Sequence, residues 1–300
     1  MKIAISGGSG FVGQALTDHF TEKGKDVYIL TRDPDGKPEK ERVTYIKWLN
    51  DDHQLDELPE LDAIVNLAGE SINGRWTEEK KEKILSSRID STRAIMDLIE
   101  RQGTKPEVLI NASAVGYYGT SQTEKFDEWK EEAGDDFLAE VTNQWENEAL
   151  KAKDYGVRVV YTRFGLILDR AEGALPRMAL PYKLYGGGPI GSGDQWYSWI
   201  HIRDVAGLID FAIQNRSIDG PLNATSPHPV QMNDFGRLLG RSLNRPHWLP
   251  LPGFVLRTAL GEMSTLILDG QKVYPQKALD HNFRFTYPTL SSALTAIYER

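Results

Sequence analysis

The sequence predicts an α/β protein, a doubly wound parallel sheet followed by a smaller, mostly helical unit. Three observations predict it. Short, mainly apolar runs of buried-strand type recur over residues 1–217, amphipathic helical patterns separate them, and the first run leads into a burst of glycines that opens a helix. A helix between two buried strands returns the chain to the same end of the sheet, so the strands pair in parallel.

The elements follow in order. KIAIS (2–6) reads as a buried strand, GFVGQALTDHFTEKG (10–24) as a helix ended by Gly24, and DVYILTR (26–32) as a second strand. LDAIVNLAG (61–69) is a third strand, and residues 77–103 form a helix with Ile84, Ile89, Ile95, Leu98 and Ile99 on its apolar face. VLINASAVG (108–116) and VRVVYTRFGLIL (157–168) add strands on either side of a helix at 137–153. After residue 170 the pattern breaks into loops. YGGGPIGSGDQWYSWIH (185–201) is too long and irregular for a simple connection and reads as a lid or substrate wall lined by Trp196, Tyr197 and Trp199. A helix at 205–215 closes the first domain, residues 1–217. Residues 218–300 form the second, with helices near 232–243, 252–263 and 289–300.

Composition narrows the function. The 300 residues carry a net charge of -8, which disfavours nucleic acid and anionic membrane as partners and leaves a small molecule. The second domain has 8 Lys plus Arg against 6 Asp plus Glu, so the excess acid lies in the first. The acidic run from Glu124 to Glu140 reads as a solvated face. There is no cysteine, which closes disulfides, thiolate metal sites and cysteine nucleophiles, and no metal site is expected. No secretory signal and no apolar run of membrane-spanning length is visible, so a cytoplasmic location is expected.

GGSGFVG matches the dinucleotide fingerprint in two spacings, Gly7, Gly10 and Gly13 or Gly8, Gly10 and Gly13. Gly7 and Gly8 can make the tight turn, Gly10 admits a pyrophosphate against the backbone, and Gly13 lets helix and strand pack closely. The amides of Phe11 and Val12 would face the anion at the positive helix end. Strand two ends at Thr31, Arg32 and Asp33. A guanidinium there suits the 2'-phosphate of NADP(H), while Asp33 keeps NAD open. Glu70 follows NLAG at a strand end, where it could act as a base or be a solvated loop carboxylate.

With this loop, Arg32, NLAG (66–69) and HIRDVA (201–206), the chain resembles the extended short-chain dehydrogenase/reductases of the epimerase/dehydratase group, which have the Rossmann fold. GGPIGSGDQWYSWIHIRD, GPLNATSPHPV (220–230) and GQKVYPQKAL (270–279) resemble an atypical subgroup of unassigned activity with its own small C-terminal domain. The resemblance implies cofactor contacts from Leu67, Ala68, Gly69 and Leu166, and from Arg88 of SSRIDST, where many members have an Asn; an exposed helix cation is the other reading of Arg88. It assigns His201 and Asp204 to holding the loop that closes the site. Helix pairing common in this fold raises the expectation of a homodimer.

The resemblance also implies a Tyr followed four residues later by a Lys on the helix at 137–153, the pair that moves a proton while hydride is transferred. Aligned on Glu146, Phe137 and Val141 stand there, and no Tyr in the chain has a Lys four residues on. Ser113 falls where the family has a serine and could polarise a carbonyl. Tyr117 and Tyr118 could donate a proton, with packing as their alternative role. Two functions remain: an NADP(H)-dependent oxidoreductase or epimerase acting on a small carbonyl or hydroxyl compound, or a non-catalytic NADP(H)-binding regulatory or scaffolding protein.

Overall fold

The computed structural model describes residues 1–49 and 53–298. The chain runs β1 (Lys2–Ser6), α1 (Phe11–Glu22), β2 (Asp26–Thr31), β3 (Val43–Lys47), β4 (Ala63–Asn66), α2 (Glu78–Arg101), β5 (Val108–Ala114), β6 (Lys125–Phe126), α3 (Phe137–Leu150) and β7 (Arg158–Phe164). It continues through β8 (Leu166–Leu168), α4 (Leu175–Lys183), β9 (Trp196–Tyr197), β10 (Trp199–His201), α5 (Ile202–Gln214), β11 (Gly220–Ala224) and β12 (Val230–Gln231). The rest comprises α6 (Met232–Ser242), α7 (Gly253–Leu260), α8 (Thr265–Leu268), β13 (Lys272–Val273), α9 (Gln276–Asp280) and α10 (Leu290–Tyr298). The expected last helix, 289–300, extends two residues outside the described ones.

Seven strands form one parallel sheet in the order β11-β7-β5-β4-β1-β2-β3. The strand order reverses between β1 and β4, so a crevice opens there at the carboxyl edge, the place where open α/β sheets bind ligands. Alternation along the strands loads both faces. Ile3 and Ile5 of β1 pack with Leu16 and Phe20 of α1 and Leu208 and Ile209 of α5. Ala4, between them, faces the opposite layer with Ile95 and Ile99 of α2 and Ala149 of α3. Burying each such Leu, Ile or Phe contributes about 1.5–3 kcal/mol, so the layers that aim the strand ends are firmly held.

Five expectations change. The sheet continues through β11 to Ala224, past residue 217, where the second domain was expected to begin. The expected strand at 157–168 divides at Gly165, where a Cβ would lie 2.3 Å from the Ser198 carbonyl oxygen; its second half pairs with β10 instead of the main sheet. Part of the region expected to be loop after residue 170 is the helix α4. Tyr197 and Trp199 do not line a lid: both are buried in the core that joins α4, α6 and α10, and Trp199 is 0% exposed. Glu128 departs from the solvated acidic run, since it is 4% exposed and accepts from the amides of Asn223 and Lys277, fastening the C-terminal segment to the edge strand.

His201 and Asp204 hold the C-terminal segment at a second place, Thr286 and Tyr287. The His201 ring lies 4.1 Å from Tyr287, and the Asp204 carboxylate accepts from the amides of Thr286 and Tyr287 at 2.7 and 2.9 Å. Among the described residues no helix is long and apolar enough to cross a membrane, and no group of three or more His, Cys, Asp or Glu is placed to hold a metal ion.

Candidate functional site

The glycine turn between β1 and α1 is built for close approach. Gly7 has φ +69°, and a Cβ there would stand 2.9 Å from the Leu67 carbonyl carbon, so both conformation and space demand glycine. Gly8 is not in the left-handed region; a Cβ there would drive into Ile29 at 2.7 Å, so its role is packing on β2 rather than turning the chain. A Cβ on Gly13 would lie 2.4 Å from the Gly7 carbonyl oxygen, which sets the close contact of helix and loop. Gly10 differs: its φ of -83° suits any residue and a Cβ would meet only the Gly7 oxygen, at 3.3 Å. The fold does not need glycine at 10. An approaching ligand would.

The start of α1 agrees with this. Thr77 caps α2 and Asp136 caps α3 through their side chains, whereas Gly10 leaves α1 without a side-chain cap. The first intrahelical bond is Gln14 N to Gly10 O at 2.9 Å, so the Phe11 and Val12 amides precede the helical ladder and point toward the crevice. The Phe11 ring packs against Gly173, shortly before α4, and Arg177 of α4 donates to Asn73 Oδ1 at 3.0 Å in the loop that follows β4.

On one side of the turn, β2 ends at Thr31, whose hydroxyl donates to Asp33 O, with Arg32 exposed beside it. On the other side, Leu67, Ala68 and Gly69 leave β4. Leu67 N donates to Ser6 O, Ser91 Oγ donates to Ala68 O, and Gly69 lies under Arg88: a Cβ on it would sit 3.1 Å from Arg88 Cγ. Arg88 Nη1 donates to Ile84 O at 2.7 Å and Glu70 O at 3.1 Å, and its guanidinium carbon lies 5.0 Å from the centre of the Trp145 ring. Burial pulls its pKa down to about 10, so it remains a cation at neutral pH. Leu166 stands just past the end of β7, its amide donating to Ser198 O.

Glu70 is exposed and accepts from Lys80 at 2.6 Å; that bond holds its carboxyl below the usual range, making it a weak base. Ser113 is 2% exposed and donates its hydroxyl to Glu146 Oε1 at 2.6 Å. Glu146 is gripped in turn by Arg163, Nε to Oε1 and Nη2 to Oε2, both 2.8 Å. The Arg163 guanidinium stacks on Tyr117 at 3.4 Å. Tyr117 donates to Glu131 O and Tyr118 to Asn223 Oδ1, and burial pushes the Tyr118 phenol up. As placed, all three hydroxyls give their protons inward. Both tyrosine rings are buried in a small cluster with Phe126 and Val273.

Helix α3 has no acid-base pair to offer. Phe137 and Val141 pack with Trp76 and Ile84, and the neighbouring register, Leu138 and Thr142, is equally unable to shuttle a proton: Leu138 faces Gly116 just beyond β5, and the Thr142 hydroxyl is bound to Leu138 O. Sequence reasoning missed Arg163, and took Glu146 only as an alignment point. The available signal was Arg163 in the middle of the strand-type run VRVVYTRFGLIL, since a buried cation needs a partner.

A model of the NAD dependent epimerase/dehydratase family matches residues 3–223, and a Domain of unknown function (DUF1731) matches 251–297. This chain belongs to that epimerase/dehydratase family. The epimerase family protein YfhF of Bacillus subtilis is 49% identical over 298 residues, 99% of this chain and 98% of that protein. The crystal structure of human epimerase family protein SDR39U1 (isoform2) with NADPH is 34% identical, matches with a TM-score of 0.89 and covers all of both chains. UDP-glucuronic acid 4-epimerase from Bacillus cereus, 16% identical with a TM-score of 0.79, shares the fold. Within the family this member has the glycine turn between β1 and α1 and lacks the Tyr and Lys expected on α3.

Proposed function

We propose that the chain binds NADP(H) across the crevice and serves as an oxidoreductase or epimerase on a small carbonyl or hydroxyl compound. One observation carries the cofactor half: a glycine at position 10 that neither conformation nor packing requires, at the uncapped start of a helix. Gly7, Gly8, Gly10 and Gly13 with the amides of Phe11 and Val12 would hold the pyrophosphate, Thr31 and Arg32 the 2'-phosphate, and Leu67, Ala68, Gly69, Arg88 and Leu166 the remainder. The bound nicotinamide would supply hydride chemistry. The NADPH in the similar human structure agrees with Arg32 at the end of β2.

The cofactor reading is tested by calorimetry. NADPH binds more tightly than NADH, and Arg32→Ala narrows the gap by about tenfold or more, the loss of a charge-assisted pair worth about 1.5–3 kcal/mol. Equal affinities in the native protein sink the assignment.

The inward commitment of Ser113, Tyr117 and Tyr118 favours a second reading, a cofactor-dependent regulatory or scaffolding protein. A carbonyl screen with NADPH separates the two. Slow turnover lost in Ser113→Ala, Tyr117→Phe or Tyr118→Phe supports catalysis. No hydride transfer across the screen, together with NADPH-dependent binding of a protein partner, supports the second.

A further inference from the structure

We propose that Arg88 makes the crevice discriminate between the oxidation states of its cofactor, favouring the neutral dihydronicotinamide of NADPH over the cationic ring of NADP+. The inference rests on the proposed binding of NADP(H).

The sheet order sets the direction in which the cofactor would lie. If the 2'-phosphate meets Arg32 at the end of β2 and the pyrophosphate meets the turn after β1, the nicotinamide end runs the other way, over β4 and β5. Arg88 is on that side. Its guanidinium rests on Gly69, just past β4, and on Trp145 of α3, the helix that follows β5. The α3 positions expected to carry Tyr and Lys hold Phe137 and Val141, so the charge at this end of the crevice comes from α2.

Nothing bonded to Arg88 cancels that charge. Its hydrogen bonds go to the neutral carbonyls of Ile84 and Glu70. Among the described residues Nε and Nη2 make no protein hydrogen bond, and neither is sealed from the surface. The nearby Glu70 carboxylate is engaged by Lys80 on the exposed rim. The cation is held by these two bonds and by its platform, Trp145, which is itself fixed: Trp145 Nε1 donates to Thr92 Oγ1 at 3.0 Å, Asn66 Nδ2 donates to the same oxygen at 3.0 Å, and Thr92 Oγ1 donates to the main-chain Arg88 O at 2.8 Å. NADP+ and NADPH differ at the ring by a hydride, hence by one positive charge there, and a fixed cation beside it penalises only the oxidised form.

Calorimetry with NADPH, NADP+ and 2',5'-ADP on the native protein, Arg88→Gln and Arg88→Lys tests this. The native protein should bind NADPH about tenfold or more tightly than NADP+. Arg88→Gln should bring the ratio close to one with 2',5'-ADP affinity unchanged, and Arg88→Lys should retain part of the ratio. Equal loss of affinity for both oxidation states in Arg88→Gln overturns the proposal, because a purely structural or phosphate-binding arginine acts on both alike. Equal native affinities for NADPH and NADP+, with 2',5'-ADP still bound, overturn it while leaving the cofactor reading intact. A native protein that binds none of the three ligands removes both.

Discussion

Replacing Glu146 with alanine leaves the Arg163 guanidinium in a site where it is 3% exposed, with neither of its 2.8 Å carboxylate bonds, and leaves Ser113 without an acceptor. Removing one partner of a buried ion pair costs about 3–5 kcal/mol, chiefly because the surviving charge is stranded. Here the Tyr117 ring, 3.4 Å from the guanidinium, still covers it in the variant, so the expected loss lies at the lower end of that range, about 3 kcal/mol. Urea unfolding at neutral pH measures it as a fall in midpoint at constant slope. The double variant Glu146→Leu with Arg163→Met removes both charges and should be less destabilised than the sum of the single changes by about 2 kcal/mol or more. A Glu146→Ala protein within about 1 kcal/mol of the native one would refute the reasoning, since the pair would then be as well solvated as a surface salt bridge.

Gly10→Val should abolish NADPH binding and leave the unfolding midpoint nearly unchanged, because the new side chain enters the crevice and meets little of the protein; a folded variant that retains affinity would make the loop only a turn. Asp210 supplies a pH dependence. Burial pushes its carboxyl up, but bonds from His19, Lys23, Lys25 and Gln214 outweigh this and hold it well below the usual carboxylate range. A lowered folded-state pKa gives stability that is present above the unfolded value near 4 and lost as the pH falls below it. Asp210→Asn should therefore flatten the stability profile on the acid side, and an unchanged slope would show that the cluster does not couple α1 to α5.

The first half of the fold was legible because its signals are local. Apolar strands of five or six residues, a glycine turn and amphipathic helices fix β1, α1, β2, α2 and α3 without knowledge of their neighbours. The elements that escaped carry contrary local signals. VTYIK of β3 sits at the sheet edge with Thr44 exposed and Val43 half-buried, so it shows little of a core strand's apolar run. β11 begins Gly-Pro, and Pro221 is tolerated because β11 is the other edge, with no strand paired on its outer side among the described residues. In α4, Pro176 falls in the first turn, where its missing N–H costs nothing, but Pro181 lies inside and reads as a stop.

The site divides along the same line. A phosphate cradle is made by consecutive backbone groups, so GGSGFVG carries nearly the whole argument in seven residues. The Ser113, Glu146 and Arg163 network instead joins three elements, β5, α3 and β7, and becomes visible only once β5 and β7 are paired with Ser113 opposite Arg163. Sequence could therefore establish that Tyr and Lys are missing from α3, but not what packs around that helix. That depends on α2 packing against α3, which brings Arg88 onto Trp145 across 57 positions of chain. The same packing separates two kinds of basic residue that look alike in the sequence. Arg163 is spent on a carboxylate and holds the interior together, whereas, among the described residues, the hydrogen bonds of the Arg88 guanidinium go to carbonyls alone. An arginine becomes available to a ligand through what its neighbours leave unpaired, and in this fold those neighbours are distant in sequence.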